Sequence, residues 1–313
     1  MIWDMVFIYE PEMGNGANLF DRYRAAGVDF VSVHPAGDRH NIQEAIKRIA
    51  RCRAEIEAHP NAELVYSVDD VVRANAAGKL AVGMHLEGFR CLERDLSLID
   101  IYYQLGIRFV HPIFNLNSEI GGGGADRYDT GLTKFGIKML HEMNRVGMIV
   151  DGAHAGHRST FDMMEHSDAP VMLSHVACHS VHPHFRNVHD DQIRRCAEQG
   201  GVIGVTGAAF YLGGASAAQY FRHLDHLVQL VGAKHVGIGL DYLDQAQHLT
   251  NFINARPDEW PGKDEGAWEP MAFLGPEIIA EVTALMTSHG YSDDDVRGIH
   301  GGNWLSLCKS VWK

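Results

Sequence analysis

Short apolar runs alternate with longer segments of helical periodicity along the whole chain. The apolar runs predict eight buried strands, at residues 5–9, 30–34, 80–86, 109–113, 148–151, 171–174, 202–206 and 236–239. Alternation of this kind predicts repeated βα units with a parallel sheet. Because eight parallel strands are the number that closes a barrel, the predicted fold class is α/β, a (β/α)8 TIM barrel of the metal-dependent hydrolase type.

Three of the intervening helices are well defined by their patterns. They cover residues 41–58, 133–146 and 192–199, and the last two stop at Gly147 and Gly200. Glycine is a common residue just beyond a helix, since it adopts the left-handed conformation that ends the last turn. The helical segments are apolar on one side only, so we expect them to form an outer layer around the sheet.

Two long segments break the alternation. One spans about residues 118–132 and holds four consecutive glycines, and the other spans about 243–275, where Pro257, Pro261 and Pro270 lie. Both are predicted to be loops on the face that carries the active site. They either cover the site or are tolerated insertions. No linker separates two units, so residues 1–313 are predicted to form a single domain.

Composition narrows the functional classes. The formal charge is −13 and no basic cluster is present, which argues against a nucleic-acid partner. The first residues lack the features of a signal peptide, and no apolar run reaches the ~20 residues of a membrane span. We therefore expect a soluble, cytoplasmic protein without a membrane partner. Five cysteines without a CxxC pair indicate reduced thiols.

Three of the predicted strands end on metal-binding side chains. Glu87 follows the third strand, and His154 and His175 follow the fifth and sixth. Because the carboxyl ends of barrel strands face one mouth, these donors are expected to converge on one Zn²⁺, with open positions for water. The alternative for each histidine is a hydrogen-bonded structural role.

Other residues near the same mouth are candidates for catalysis or binding. Asp241 follows the eighth strand and is predicted to be the general acid/base, the alternative being a helix N-cap or a turn residue. Arg186 is a candidate anchor for a substrate carboxylate, the alternative being a surface arginine packed over Phe185. His111 lies in the fourth strand and is either a ligand or substrate contact or a satisfied core histidine.

Several motifs in one order resemble the membrane (renal) dipeptidase family, peptidase family M19, among the amidohydrolase-like metal barrels. They are Glu87-Gly88, Asp151-Gly152-Ala153-His154, Ser174-His175, Arg186-Asn187-Val188, the run from Gly237 to Asp241, and Gly301-Gly302-Asn303-Trp304. The resemblance implies that Glu87 bridges two zinc ions and acts in catalysis. It also implies that His154 and His175 bind the second ion, that Arg186 holds the substrate carboxylate and that Asp241 handles protons.

The first strand departs from the family pattern. The family carries Asp-Gly-His-x-Asp there, whereas this chain has Asp4-Met5-Val6-Phe7-Ile8, so Val6 and Ile8 replace two metal ligands. We therefore predict one zinc ion, at Glu87, His154 and His175. The substrate-binding histidine of the family corresponds to Phe114, while Asn117 is retained. The predicted substrate contacts are thus Arg186, Asn117, Phe114 and His111.

The predicted function is hydrolysis of the amide bond of a dipeptide or a related small amide by metal-activated water. The family resemblance also implies that two chains pair as a homodimer. Two alternatives remain open at this point. In the first, the barrel has lost hydrolysis and acts as a ligand-binding protein. In the second, the chain is a one-metal lyase or decarboxylase, since one fold can host several reactions.

Overall fold

The computed structural model describes residues 1–10, 16–256, 260 and 266–313. Nine strands occur in these ranges: β1 (Trp3–Phe7), β2 (Phe30–Gly37), β3 (Ala62–Leu64), β4 (Leu80–Glu87), β5 (Ile107–His111), β6 (Ile149–Val150), β7 (Leu173–Val176), β8 (Ile203–Val205) and β9 (Val236–Ile238). All eight predicted strands are confirmed, with ends shifted by up to three residues. The additional strand, β3, is only three residues long, too short for a pattern of alternation to stand out.

All the strand pairs are parallel and belong to two sheets. The larger sheet has the order β1-β2-β4-β5-β6, with β3 pairing with the first residues of β4, and the smaller has the order β7-β8-β9. The fold is therefore mixed α/β with a curled parallel sheet. Isolated parallel bridges link the two sheets at both seams, Asp151 with Met172 and Phe7 with Tyr242.

Helices follow most of the strands. They are α1 (Phe20–Ala25), α2 (Ile42–Ala58), α3 (Val68–Ala76), α4 (Leu98–Gln104), α5 (Lys134–Val146), α6 (His157–His166), α7 (Asp190–Glu198), α8 (Ala209–Leu212), α9 (Ala217–Val231), α10 (Ala246–Asn254), α11 (Ile278–Ser288), α12 (Asp293–Arg297) and α13 (Asn303–Val311). The three predicted helices are confirmed as α2, α5 and α7. Within the described ranges, none of the helices combines the length and the apolar character needed to cross a membrane.

The local sequence explains the ends of α2 and α5. Asn41 caps α2 through its side-chain oxygen, which accepts a hydrogen bond from the Glu44 backbone N–H. The Glu44 carboxylate in turn accepts a hydrogen bond from the Asn41 backbone N–H. Thr133 caps α5 in the same way through the Gly136 backbone N–H, and Gly147 ends that helix at φ 88°. Both helices therefore begin where a side chain satisfies a free backbone N–H, and α5 ends at a glycine in the left-handed conformation.

The prediction of a loop over residues 243–275 is wrong in part, because residues 246–254 form α10. Leu249 and Ile253 lie four positions apart on one face of α10 and are buried against Leu243. The prolines that follow α10 in the sequence favoured a loop, so its short helical pattern was not recognised. Pro257 and Pro261 lie outside the described residues.

Apolar residues fill the interior below the carboxyl ends of the strands. One cluster combines strand residues with Trp304 of α13: Trp3, Met5, Phe30, Ala81, Phe109, Ile149 and Met172. Phe109 stacks on His85 with ring centroids 4.3 Å apart. The five cysteines are all buried and free, as the sequence predicts.

Candidate metal centre and its surroundings

Glu87, His154 and His175 meet at the carboxyl ends of three strands. Each side chain is buried, and one donor atom from each lies within 4.8 Å of the other two. Nε2 of His154 is 2.8 Å from Nε2 of His175. Two ring nitrogens directed at one point beside a carboxylate form a donor set that a divalent cation accepts.

Hydrogen bonds to the other ring nitrogens orient the two imidazoles. Nδ1 of His154 is 2.7 Å from Asn115 Oδ1, and Nδ1 of His175 is 2.8 Å from Ser174 Oγ. A hydrogen on each Nδ1 leaves the Nε2 lone pair free for an ion. Arg186 Nε lies 3.2 Å from the same Nδ1 of His154 and cannot donate to it in that tautomer.

The charge state of the site suits metal binding. Burial, together with the positive charge of Arg186, lowers the pKa of His154 and of His175 well below the ordinary histidine value. Both rings are therefore neutral, which is the form that binds metal. Oε1 of Glu87 is buried and has no hydrogen-bond partner among the residues that the structure describes. These donors fit a divalent cation, because an ion would satisfy an oxygen that the protein leaves unpaired.

A buried ion pair supports the centre from below. Asp151 Oδ1 accepts hydrogen bonds from the backbone N–H groups of Ala153 and Ser174, at 3.0 and 3.1 Å. His111 Nε2 lies 2.9 Å from Asp151 Oδ2, and its Nδ1 donates to the carbonyl of Leu86 at 3.2 Å. Burial has the largest single effect and lowers the pKa of His111. The charge and hydrogen bond of Asp151, together with the charge of Glu87 and the hydrogen bond to the Leu86 carbonyl, outweigh burial, so the pKa is raised.

His111 therefore serves as a positioning residue. Both of its ring nitrogens are engaged, and it does not line the cavity described below. Of the two roles considered from the sequence, the satisfied core histidine is the one that the geometry matches. The His111–Asp151 pair joins β5 to the end of β6, and Asp151 also holds β7 through Ser174.

A cavity of about 580 Å³ opens beside Glu87 and His154. This volume lies in the range of small-molecule sites. Phe114 lines it and packs on His154, with ring centroids 4.4 Å apart. Asn117 also lines it, but its amide donates to the Tyr128 carbonyl and accepts from the Gly123 N–H, so the side chain organises the loop.

Asp241 lies on the cavity wall in the turn after β9. It is buried, its φ is 54°, and the N-cap of the following helix α10 is Gln245 rather than Asp241. The helix-cap alternative therefore does not describe Asp241, whereas its positive φ just after a strand matches the alternative of a turn residue. Burial, followed by the negative charge of Glu87, raises the pKa of the Asp241 carboxyl well above its ordinary value. Both effects disfavour the ionised form of the carboxyl group.

Arg186 is a buried cation beside His154 and His175. It is 5% exposed, its Nη2 lies 3.3 Å from Nε2 of His175, and its guanidinium stands over the Tyr211 ring at 5.5 Å. No carboxylate of the described residues lies within 4.0 Å of the guanidinium. Phe185 is exposed and stacks on His184 instead, so the surface-arginine alternative does not hold.

The first strand contributes no donor to the centre. Val6 is fully buried among apolar side chains, and Ile8 follows β1 and lines the cavity.

Three residues at the site were missed by the sequence analysis. They are Asn115, which holds His154, and His34 and His85, which form a second group of possible ligands with Glu87. The pattern contained two clues. His85 lies two residues before Glu87 and therefore on the same face of the strand, and His34 ends a predicted strand as His175 does.

The sequence of this chain was compared with models of known protein families. The family model described as "Membrane dipeptidase (Peptidase family M19)" matches residues 21–256. The chain belongs to the membrane dipeptidase family.

Curated members of the membrane dipeptidase family align over most of the chain. An uncharacterized dipeptidase of Schizosaccharomyces pombe is 33% identical over 264 residues, which cover 80% of this chain and 57% of that protein. Dipeptidase 3 of Rattus norvegicus is 32% identical over 310 residues, covering 95% of this chain and 59% of the relative. The chain therefore spans little more than half of the length of these two relatives.

A solved structure shares the fold of this membrane dipeptidase family member. An amidohydrolase from Pseudomonas aeruginosa superposes with a TM-score of 0.86 at 23% sequence identity, covering 100% of this chain and 96% of the other. The alignment to this structure covers the whole chain, whereas the family model matches from residue 21.

Proposed function

We propose that this chain is a metal-dependent hydrolase that cleaves the amide bond of a dipeptide or a related small amide. The observation that carries the proposal is the meeting of Glu87, His154 and His175 beside a buried arginine without a carboxylate partner among the described residues. Relatives that carry the name dipeptidase support the reaction class.

The donor set supports zinc as the ion at this site. Two imidazoles and one carboxylate are the ligands of several catalytic zinc centres, with a further position for water. A bound divalent cation would supply Lewis acidity to the amide carbonyl and lower the pKa of water. We propose one ion at Glu87, His154 and His175.

Arg186 is proposed to fix the end of the substrate. Its planar guanidinium can bind both oxygens of a carboxylate. Such a carboxylate would balance a buried charge to which Asp241, Asp151 and Glu87 are near but with which none of them forms an ion pair within 4.0 Å. Because the guanidinium lies beside His175, a substrate held there would carry its amide bond next to the metal centre. Phe114 would pack against the substrate from the side of His154.

Asp241 is proposed to move the proton. Its carboxylate takes a proton from the attacking water and, as the acid, delivers it to the nitrogen of the leaving amine. The raised pKa of Asp241 supports this role, since a carboxyl of ordinary pKa would hold too little proton at neutral pH to act as an acid.

We also propose that the two sheets form one closed eight-stranded barrel. Backbone hydrogen bonds at both seams support this. The Asp241 N–H donates to the Val6 carbonyl at 2.9 Å, and the Gly152 N–H donates to the Met172 carbonyl at 2.8 Å. A closed barrel leaves no exposed strand edge and directs all the strand ends that carry ligands to one side.

A substrate panel tests the proposed function. Dipeptides with a free carboxylate, the same dipeptides with an amidated end, and small lactams and lactones are incubated with protein that has been treated with chelator and then loaded with zinc. We expect turnover of the free dipeptides that chelator abolishes and zinc restores. Thermal stabilisation by a panel member without any turnover would instead support a binding protein, and a product of carbon–carbon cleavage would support a lyase.

A further inference from the structure

A second group of possible metal ligands lies next to the proposed zinc site. His34, His85 and Glu87 are all buried, and one donor atom from each lies within 4.8 Å of the other two. Glu87 belongs to both groups. The sequence-based prediction of one ion considered only the first strand, and neither His34 nor His85 entered it.

The strands place these three side chains together. His85 and Glu87 are two residues apart on β4, so their side chains leave the strand on the same face. His34 comes from the neighbouring strand β2, where the register with β4 shifts between Val33 and Ala36. Such an irregularity redirects side chains at the end of a strand, and here it accompanies a histidine that approaches Glu87.

The distances suit an ion better than hydrogen bonds. Nε2 of His34 is 3.8 Å from Glu87 Oε2, and Nε2 of His85 is 3.8 Å from Glu87 Oε1. Both separations are too long for a hydrogen bond. Two ligands of a tetrahedral zinc ion stand about 3.3 Å apart, given bond lengths of about 2.0–2.1 Å. A shift of about half an ångström would therefore bring each pair to the spacing that a shared ion requires.

Unpartnered polar atoms mark the same position. Nε2 of His85 and Oε1 of Glu87 are buried and have no hydrogen-bond partner within the described part of the chain, and both belong to side chains that are less than a tenth exposed. Buried polar atoms of this kind are rare in folded proteins unless water or an ion satisfies them. Two such atoms from one group, 3.8 Å apart, point to a ligand between them.

The surroundings of His85 hold its ring in a ligating orientation. Nδ1 of His85 is 2.9 Å from Ser32 Oγ, and a hydrogen on this nitrogen leaves the Nε2 lone pair directed at Glu87. The Phe109 ring stacks on the face of the His85 ring at an interplanar angle of 8°. Beyond His34, Glu10 places a carboxylate oxygen 3.9 Å from Nε2, but Arg39 and Arg48 already neutralise that carboxylate.

We propose that His34, His85 and Glu87 hold a second divalent cation of the zinc class, with Glu87 bridging it to the ion at His154 and His175. The proposal rests on the proposed metal-dependent function, because Glu87 serves both sites. The two histidines supply, from β2 and β4, the imidazole donors that β1 lacks. The second site therefore uses a ligand set that differs from the one implied by the family motif on the first strand.

Zinc stoichiometry tests the proposal without an activity assay. Protein is stripped with chelator, loaded with zinc and desalted, and the zinc per chain is measured by plasma mass spectrometry and by titration calorimetry. We expect two ions per chain in the wild type, one in His34→Gln and in His85→Gln, and one in His175→Gln. His223→Gln is the matched control, since His223 is also buried but bonds only to backbone groups, and it should keep two ions.

The pattern of results distinguishes the two proposals. One ion in the wild type that His34→Gln and His85→Gln both retain would overturn the second site and leave the proposed function intact. No ion in the wild type would overturn both. Two ions that persist in His34→Gln and His85→Gln would place the second ion elsewhere and also overturn the proposal.

Two further measurements keep the test decisive if a histidine variant fails to fold. Ser32→Ala leaves every ligand in place but removes the partner of His85 Nδ1, and it should weaken binding of the second ion by about 10- to 100-fold. An anomalous difference map of wild-type crystals at the zinc edge should show a peak about 2.0–2.1 Å from Nε2 of both His34 and His85. A map with a peak only at His154 and His175 would refute the second site.

Discussion

Replacing Arg186 by methionine should raise the stability of the protein while it lowers activity. The guanidinium is 5% exposed, touches two imidazoles and has no carboxylate within 4.0 Å among the described residues. Burying an ion costs several kcal/mol, and even a paired buried charge is often replaced by apolar residues with a gain of about 1–4 kcal/mol. Methionine fills a similar space without the charge.

We expect Arg186→Met to be more stable by about 1–3 kcal/mol. With an unfolding entropy of about 2.1 cal/mol/K per residue, this gain corresponds to a rise in Tm of about 2–5 °C for a chain of 313 residues. Activity should fall, since two charge-assisted hydrogen bonds to the substrate carboxylate are each worth about 1.5–3 kcal/mol. The expected loss in kcat/KM is about 10²- to 10⁴-fold for free dipeptides and small for amidated ones.

Arg108 provides a matched control. It is 6% exposed, but it donates hydrogen bonds to the carbonyls of Tyr66, Tyr103 and Ile107, and its guanidinium lies 3.9 Å from the Tyr103 ring. Arg108→Met leaves these carbonyls without their donor and should lower stability by about 1–3 kcal/mol. The two buried arginines therefore respond to the same substitution with opposite signs.

Denaturant unfolding and thermal scans of zinc-loaded and chelated protein measure the stability of both variants, and steady-state kinetics measure activity. If Arg186→Met loses as much stability as Arg108→Met, the predicted gain in stability is wrong, because the charge of Arg186 would then be compensated within the protein. Equal turnover of a free dipeptide by wild type and Arg186→Met would refute the anchoring role separately.

Three further predictions concern the metal centre and the first strand. Substituting His154→Gln should abolish zinc binding at the proposed centre, measured as zinc per chain, whereas His184→Gln, at a histidine bonded to a backbone carbonyl, should not. Asp241→Asn should lower kcat by about 10²- to 10⁴-fold with zinc content unchanged, and retention of full turnover would show that Asp241 moves no proton. Burial raises the pKa of Asp4 from 3.8 to about 7, so the folded protein binds this proton more tightly than the unfolded chain. Its contribution to stability is full below about pH 4 and is lost as the pH rises to about 7, so Asp4→Asn should lose less Tm than wild type over that range.

The sequence alone was sufficient to predict most of the strands and the three side chains that come together at the candidate metal centre. A strand of a parallel sheet is buried on both faces, so it appears in the sequence as a continuous apolar run. Such a run can be recognised without knowing which strands lie beside it. Glu87, His154 and His175 stood out because each follows such a run. The short helix α10 and strand β3 were missed, since segments of this size carry few apolar positions and their burial depends on what packs over them.

The roles of individual polar residues depended on tertiary contacts. His111 and His34 are both buried histidines near strand ends, and nothing in their local sequence separates them. His111 has both ring nitrogens engaged, one by Asp151, whereas Nδ1 of His34 has no partner. Likewise, Asn115 rather than Asn117 holds His154, because Asn117 is engaged with its own loop.

The linear order of residues determined the alternation of strands and helices, the helix caps and the chemical identity of the ligands, because each of these depends on residues close together in the chain. Only the tertiary structure decided which donors share a point in space. It placed His34 of β2 against Glu87 of β4 and the buried charge of Arg186 against His175. Distances between separate strands follow from register and side-chain packing across the sheet, and a one-dimensional pattern carries no measure of either.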